Sequence, residues 1–340
     1  MFIISKQETD GFGQRYKDIM TCFIFCRMKK HIYVHNPLNR VKHNYKNDKL
    51  FDIKLDKFIG FNDYPIQAIK CGKRWKTYRP KIGNFVGKKY NIAKTWKEAI
   101  ITNKFKLCIF RTSSNSCLSY NIDKIFSNKN VKLLKKIYNK NKKTHLLKSN
   151  NKIKIAVHIR YGDISLSCLK SKFRVNKITL KNIGYFTNYF QYFIPFQTYL
   201  NNMKKLDKMY KNCQFYIFSQ GSINDFKIFK NTNLDIIFCL NLPMEETFHS
   251  IVSSNIVLMG VSGFSWCSAV LSNAKVFYIY KNNKYFKSNK AIYHDKERYF
   301  VTKSNHKWFL NKWTKIDQVM SSKEHLVRLI KNGISQSYQT

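Results

Sequence analysis

The sequence contains little negative charge. Its 340 residues include 19 Asp and Glu against 62 Lys and Arg, which gives a formal net charge of +43. A large excess of positive charge is common in nucleic-acid-binding proteins, because lysine and arginine neutralise phosphates. Here, however, the lysines are spread over the whole chain and accompany many Asn, Ile, Phe and Tyr, the residue types of A- and T-rich codons. We therefore expect no specific nucleic-acid partner, although a basic cleft attracts anionic ligands.

The sequence also lacks a long apolar run. The longest run near the start, Met20–Cys26, is far shorter than the ~20 residues that cross a bilayer, and it has no signal-peptide flanks. We expect no transmembrane segment. The expected location is the cytoplasm, or the host cytoplasm if the gene is viral.

Metal-binding patterns are missing as well. The nine cysteines form no CxxC pair and no Cys/His cluster with zinc-ligand spacing, and the chain has no DxD-type motif. Several cysteines lie in apolar runs such as Phe23–Cys26 and Asp235–Leu240, as small buried hydrophobic residues do. We expect reduced thiols, no metal and no other cofactor.

The chain has enough apolar material for two cores. It is 44% hydrophobic and 16% aromatic, which excludes a disordered protein. Single cores stop growing at roughly 250 to 300 residues. The polar stretch Asn139–Lys152 is typical of an exposed connection. We predict two domains, residues 1–150 and 151–340.

The first residues follow a Rossmann-like order. Phe2–Ser5 is a short apolar strand, Asp10–Gly13 a glycine loop, Tyr16–Cys26 an apolar helix and His31–His35 a second strand. In such a unit the helix amides face whatever lies over the loop. A glycine pair of this spacing also occurs in tight turns that bind nothing.

The region between Asn36 and Ser149 is less regular. We predict a helix over Thr95–Ile101, a strand over Leu107–Phe110 and a helix over Val131–Tyr138. Three aromatic side chains of this region either stack on a ligand or fill the core. These residues are Trp75, Tyr78 and Trp96.

Strands and helices alternate clearly in the second half. The predicted strands are Ile153–Arg160, Gln214–Phe218, Ile236–Leu240, Ile256–Met259 and Val276–Tyr280. The predicted helices with defined ranges are Tyr185–Tyr210, which bends at Pro195, and Pro243–Ser253. Two further helices are predicted to begin at Asp225 and near Phe264. A last helix is predicted over Ser322–Lys331, with a capping box of Ser321 and Glu324. This alternation predicts an α/β domain with a parallel sheet covered on both faces.

Polar residues follow three of these strands, in HIRYGD (158–163), FSQGSINDF (218–226) and SGFSW (262–266). The carboxyl ends of parallel strands meet at one sheet edge, where ligands bind. A diphosphate there would meet the guanidinium of Arg160, the hydroxyls of Ser262 and Ser265, and the amides of the helix that begins near Phe264. Each feature has a structural alternative: Arg160 and Asp163 as an ion pair, and the serines as helix caps.

Together these motifs resemble the fucosyltransferase superfamily of GT-B fold, which includes the α1,2-, α1,6- and protein O-fucosyltransferases. The similar segments are the HxRxGD residues His158, Arg160, Gly162 and Asp163, the stretches Phe218–Phe226, Pro243–His249 and Ser262–Ser265, and the opening loop with Gly11, Gly13 and Gln14. The resemblance implies two Rossmann-like domains whose parallel sheets face each other across a cleft. The amino-terminal domain would present the acceptor, and the carboxyl-terminal domain would bind the donor.

The resemblance also implies residue roles. Arg160 would contact the β-phosphate of GDP-fucose with His158 beside it, and Asp225 would lie near the guanine or ribose. The residues implied to line the pyrophosphate and base pocket are Ser262, Phe264 and Ser265. Two positions depart from the family, because Tyr161 replaces a frequent second arginine and Gly263 replaces a serine.

The expected function is an inverting, metal-independent fucosyltransferase that acts on a glycan or another hydroxyl acceptor. A fixed guanidinium stabilises the charge that develops on the leaving diphosphate without a metal. Asp163 is the candidate general base, or else only the partner of Arg160. Glu246 and His249 fall within a helix, and a structural role is expected for His249. The alternatives are a catalytically inactive nucleotide-sugar or glycan-binding protein of this fold and a basic nucleic-acid-binding protein.

Overall fold

Two separate parallel sheets organise the chain. The computed structural model describes residues 2–5, 11–38, 41, 48–64, 67–71, 74–78, 92–93, 109–112, 127–141, 144–165, 174, 194–260, 262–281 and 313–319. The chain forms two compact units; of the described residues, those up to 141 belong to the first unit and those from 144 onward belong to the second. No helix within these described ranges has both the length and the apolar character of a membrane span.

The first unit is built on a four-stranded parallel sheet. Its described strands are β1 (Phe2–Ser5), β2 (Ile32–Val34), β3 (Gln67–Cys71), β4 (Arg74–Tyr78), β5 (Ile92–Ala93) and β6 (Ile109–Thr112). The sheet has the order β2-β1-β6-β5, while β3 and β4 form a separate antiparallel hairpin. The described helices are α1 (Phe12–Met28), α2 (Phe51–Ile59) and α3 (Asn128–Tyr138).

Helix α1 is the buried centre of this unit. The predicted helix is confirmed, but it begins at Phe12, so Gly13 lies buried in its first turn rather than in the predicted loop. Phe23 packs edge-on against Tyr33 and Phe61, with ring centroids 5.5 and 5.4 Å apart. Aromatic edges and faces attract in this geometry, which fixes α1 against β2 and the segment after α2.

The prediction was incomplete between residues 36 and 149. Helix α3 is confirmed, and the strand predicted near residue 107 is found as β6. Helix α2 and the β3–β4 hairpin were not predicted. Helix α2 gives no clear helical period in the sequence because it buries only Leu55, Asp56 and Ile59. The helix predicted at 95–101, including Trp96, lies outside the described residues.

The second unit carries a six-stranded, all-parallel sheet. Its strands are β7 (Ile153–His158), β8 (Cys213–Ser219), β9 (Ile236–Leu240), β10 (Ile256–Met259), β11 (Lys275–Lys281) and β12 (Trp313–Val319). Its described helices are α4 (Phe196–Tyr210), α5 (Lys227–Lys230), α6 (Met244–Ser253) and α7 (Gly263–Leu271). The order is β12-β11-β10-β7-β8-β9, and every pair is parallel. Renumbered within the unit, this is the 3-2-1-4-5-6 order of Rossmann-like sheets, which confirms the predicted α/β class.

Some predicted boundaries in this unit were wrong. The predicted bend at Pro195 is instead the N-cap of α4, where a missing N–H costs no helical hydrogen bond. Asp225 does not begin an α-helix but lies in a 3₁₀ turn, Ile223–Phe226, that precedes α5. Strand β12 was missed. The helix part at 185–193 and the capping box at 321–324 lie outside the described residues.

The segment that opens the second unit is tied to its sheet and to α6. The N–H of Leu146 donates to Ser250 Oγ at 2.9 Å, and the N–H of Lys148 donates to Tyr216 Oη at 2.8 Å. These contacts attach the predicted connection to the second unit. Five cysteines in the described part of both units are buried, which confirms the prediction from their apolar surroundings, and these five form no disulfide: Cys22, Cys26, Cys213, Cys239 and Cys267.

Candidate functional site

The candidate site lies where the strand order of the second sheet reverses. Strands β7 and β10 are neighbours, but the chain continues from β7 to β8 on one side and from β10 to β11 on the other. The loops that leave their carboxyl ends therefore diverge, and such switch points hold the ligands of open α/β sheets. His158 is the last residue of β7 and Arg160 lies in the loop after it, while the loop after β10 contains Gly260 and Ser262.

The two loops are in contact. The imidazole of His158 stacks on the ring of Phe264 at 5.4 Å and 27°. Phe264 also packs edge-on against Phe248 of α6, at 5.2 Å. Two of the predicted polar segments thus meet at one edge of the sheet, and the PMEETFH segment supports them through Phe248.

Arg160 and Asp163 form a bidentate ion pair. Arg160 Nη2 donates to Asp163 Oδ2 at 2.7 Å, and Nε donates to Oδ1 at 3.3 Å. The structural alternative considered for this pair is therefore present. The two side chains remain 28% and 30% exposed, so the guanidinium is not packed into the interior. Fork-to-fork pairing orients the guanidinium plane without removing it from solvent.

The two serines after β10 shape the start of α7. Ser262 is the N-cap, and its Oγ accepts the N–H of Phe264 at 3.1 Å. Ser265 is fully buried, and its hydroxyl donates to the carbonyl oxygens of Gly260 at 2.9 Å and Ser262 at 3.2 Å. The role predicted for Ser265 as a lining hydroxyl is corrected by this burial. What the turn offers a ligand is the positive end of the α7 dipole.

Gly260 allows the two strand ends to approach. A Cβ at this position would lie 2.4 Å from the carbonyl oxygen of His158 and 3.0 Å from Tyr199 Oη. Real Cβ atoms do not approach backbone oxygens so closely, so only glycine fits without moving β7. Gly260 was not among the predicted site residues, although a glycine directly after an apolar strand signals a close backbone approach.

Tyr161 points to the loop after β8. Its hydroxyl donates to Asp225 Oδ1 at 3.3 Å, and its ring packs on Phe196 and Phe226. Burial, and then the charge of Asp225, raise the pKa of Tyr161 to about 12. Asp225 Oδ2 also accepts the N–H and hydroxyl of Ser222 at 2.7 and 3.0 Å. The carboxylate of Asp225 thus holds the loop in place.

Three other predicted residues belong to the first unit. Gly11 is the N-cap of α1, Gly13 follows in its first turn, and the Gln14 amide donates to Asp18 at 3.2 Å. Their predicted part in binding the donor stays a prediction. Within α6, His249 Nε2 lies 3.4 Å from Ser253 Oγ, a local contact that agrees with the structural role expected for His249.

His158 is held neutral. Its Nδ1 is fully buried and has no hydrogen-bond partner among the described residues, although the residue as a whole is partly exposed. Burial first, and then the charge of Arg160, lower its pKa to about 4. Of His158 and Arg160, only Arg160 therefore carries a positive charge at neutral pH.

This pKa predicts a pH-dependent stability. Between pH 6.5 and 4 the unfolded chain binds a proton at His158 that the folded chain does not, so stability falls as the pH falls. From pH 6.5 to 4.5 we expect the wild type to lose about 2 kcal/mol more unfolding free energy than His158→Gln. Urea unfolding of both proteins at the two pH values measures this difference. Equal losses would show that His158 titrates normally.

Comparison with protein-family models, curated proteins and solved structures found no match. The resemblance carried by the motifs stays a prediction. The function is therefore inferred from the side chains that the second sheet brings together at its switch point.

Proposed function

We propose that the protein is a glycosyltransferase that binds a nucleotide diphosphate sugar at the switch point of its second unit. The supporting observation is that Arg160 and the first turn of α7 follow adjacent strands, β7 and β10, at the reversal of a 3-2-1-4-5-6 sheet. A guanidinium and a helix start at such an edge match the chemistry of a diphosphate. With the HxRxGD resemblance added, the donor is GDP-fucose and the enzyme is an inverting fucosyltransferase of GT-B architecture.

In this reaction the main task of the protein is to stabilise the negative charge of the leaving diphosphate. As the bond between the sugar and the diphosphate breaks, negative charge grows on the phosphate oxygens. Arg160 and the positive end of α7 stabilise that charge, so the leaving diphosphate is favoured without a metal ion. The acceptor hydroxyl attacks the opposite face of the sugar, loses its proton to a base, and inverts the anomeric centre.

Asp163 has two roles in this proposal. Its carboxylate orients the guanidinium of Arg160, as the bidentate pair indicates. It is also the candidate base, but both of its oxygens accept from Arg160, which leaves fewer lone pairs for a proton from the acceptor. Orientation of Arg160 is therefore its primary role.

The partners follow from the same proposal. The first unit presents a glycan or another hydroxyl-bearing acceptor, and the net charge of +43 attracts the anionic donor. The buried, reduced cysteines agree with a cytoplasmic location.

A thermal-shift panel tests the function. We expect GDP-fucose and GDP to raise the melting temperature at 150 mM salt, GMP to raise it less, and UDP-sugars to have little effect, since both phosphates and the base are bound. GDP release from GDP-fucose then separates an enzyme from an inactive binder. Equal stabilisation by every polyanion, lost steeply with added salt, would favour the nucleic-acid alternative.

A further inference from the structure

A basic pocket lies in the first unit, where α1 ends and β2 begins. It has a volume of about 410 Å³ and is lined by Arg27, Lys30, His31, Ile32, Tyr33 and Tyr64. This volume falls within the range of small-molecule sites, roughly 300 to 1,000 Å³. The pocket contains none of the residues of the switch-point site.

The charge of the pocket is one-sided. Three of its six described lining residues are basic and none is acidic. The guanidinium of Arg27 lies 5.8 Å from the centre of the Phe23 ring, which holds it in place by a cation–π contact. Neither Arg27 nor Lys30 forms an ion pair with any residue that the structure describes. Two cations therefore line the pocket, and no described lining residue supplies a counter-charge.

His31 is also surrounded by positive charge. Partial burial lowers its pKa, and neighbouring positive charge, including that of Lys29, lowers it further. A bound anion would reverse this effect, because a negative charge nearby favours the imidazolium. The pocket thus contains a titrating group whose pKa must rise when an anion is bound.

The backbone at the end of α1 supports this geometry. The N–H of His31 donates to the carbonyl of Cys26 at 2.7 Å, and the N–H of Lys30 donates to the carbonyl of Arg27 at 3.3 Å. These are the two bonds of a Schellman motif, which satisfy two of the carbonyl groups at the end of α1. Lys30 takes the left-handed position of the motif, with φ 55°, where glycine is most common. A lysine at this position brings an ammonium group to the pocket.

The remaining wall is aromatic and apolar. Tyr64 is half-buried and packs against Tyr33 with ring centroids 5.3 Å apart, and Ile32 is 41% exposed. We propose that this pocket binds a phosphate or sulfate monoester of a ring compound, with the oxyanion at Arg27, Lys30 and His31 and the ring against Tyr64 and Ile32. Charged hydrogen bonds and ring stacking are the interactions that recognise such a molecule.

Calorimetric titration of the full chain with phenyl phosphate, phenyl sulfate, methyl phosphate and inorganic phosphate tests the site at 150 mM salt. We expect a phenyl ester to bind at least about 10-fold more tightly than methyl phosphate or inorganic phosphate, because only it contacts Tyr64 and Ile32. The ratio between phenyl phosphate and phenyl sulfate identifies the preferred oxyanion. Saturation should also raise the pKa of His31, followed by NMR and assigned with His31→Asn.

The double variant Arg27→Gln/Lys30→Gly removes both cations. Glycine is chosen at position 30 because the backbone there is left-handed, a conformation that glycine adopts without strain. We expect the affinity for the preferred phenyl ester to fall at least about 10-fold. The matched control, Lys129→Gln/Lys132→Gln, removes two charges from exposed positions of α3 and should change this affinity less than twofold. Equal losses in both variants, no preference for the ring, or an unchanged His31 pKa would each overturn the proposal. GDP binding should be the same in all of these proteins, so this test is independent of the donor site.

Discussion

Replacing Arg160 with glutamine is expected to weaken GDP binding by about 10- to 100-fold, the effect of losing a charged, bidentate hydrogen-bonding group. Sugar transfer should slow by about 100-fold or more, because the lost group stabilises charge that is greatest in the transition state. Equilibrium titration with GDP and the rate of GDP release from GDP-fucose measure the two effects.

Two controls separate the charge of Arg160 from its pairing. Arg160→Gln leaves Asp163 without the guanidinium that now binds both of its oxygens. The double variant Arg160→Gln/Asp163→Asn removes that unpaired carboxylate and should bind GDP as weakly as the single variant. Asp163→Asn alone keeps the guanidinium, so GDP affinity should change less than about threefold while transfer slows. Unchanged GDP binding in Arg160→Gln would end the proposed donor site.

Gly260→Ala is expected to give the second large effect. The added Cβ would lie 2.4 Å from the carbonyl oxygen of His158 and 3.0 Å from Tyr199 Oη. Because the backbone oxygen cannot rotate away, the ends of β7 and β10 must separate. We expect a loss of about 1 to 3 kcal/mol in unfolding free energy, typical of overpacking. GDP affinity should fall by about 10-fold, since Arg160 moves relative to α7.

The first unit supplies the matched control. In Gly60→Ala the added Cβ would lie 2.2 Å from the carbonyl oxygen of Ile137, and the residue has a left-handed φ of 79°. We expect a similar loss of stability with GDP affinity unchanged. Urea unfolding and GDP titration of both variants make the comparison. If both alanine variants reduce GDP binding equally, the effect is general destabilisation and not the geometry of the switch point.

The sequence predicted the second unit better than the first. Five strands of its sheet were anticipated because a buried parallel strand is a continuous apolar run bounded by polar residues. Strand β12, Trp313–Val319, was missed because its apolar residues are separated by Thr, Lys, Asp and Gln. Helix α2 was missed for a similar reason, since it covers little of the core.

The roles of individual side chains were harder to predict than their positions. Sequence order placed Ser262 and Ser265 after a strand, but whether a serine faces a ligand or caps a helix depends on rotamers and neighbouring carbonyls. Burial decided this for Ser265. Asp225 was expected to lie near the guanine or ribose, which stays a prediction; what the structure adds is that its carboxylate closes a turn with Ser222 and accepts from Tyr161.

The sequence by itself determined the α/β class and the strands that end in polar residues, because these depend on local apolar periodicity. Only the tertiary structure decided the strand order, and with it that β7 and β10 are neighbours. The contact of His158 with Phe264, the pairing of Arg160 with Asp163 and the need for glycine at position 260 all depend on that packing. Burial and backbone hydrogen bonds between strands bring together residues that are far apart in sequence. A local pattern of residues does not specify which strands pair in this way.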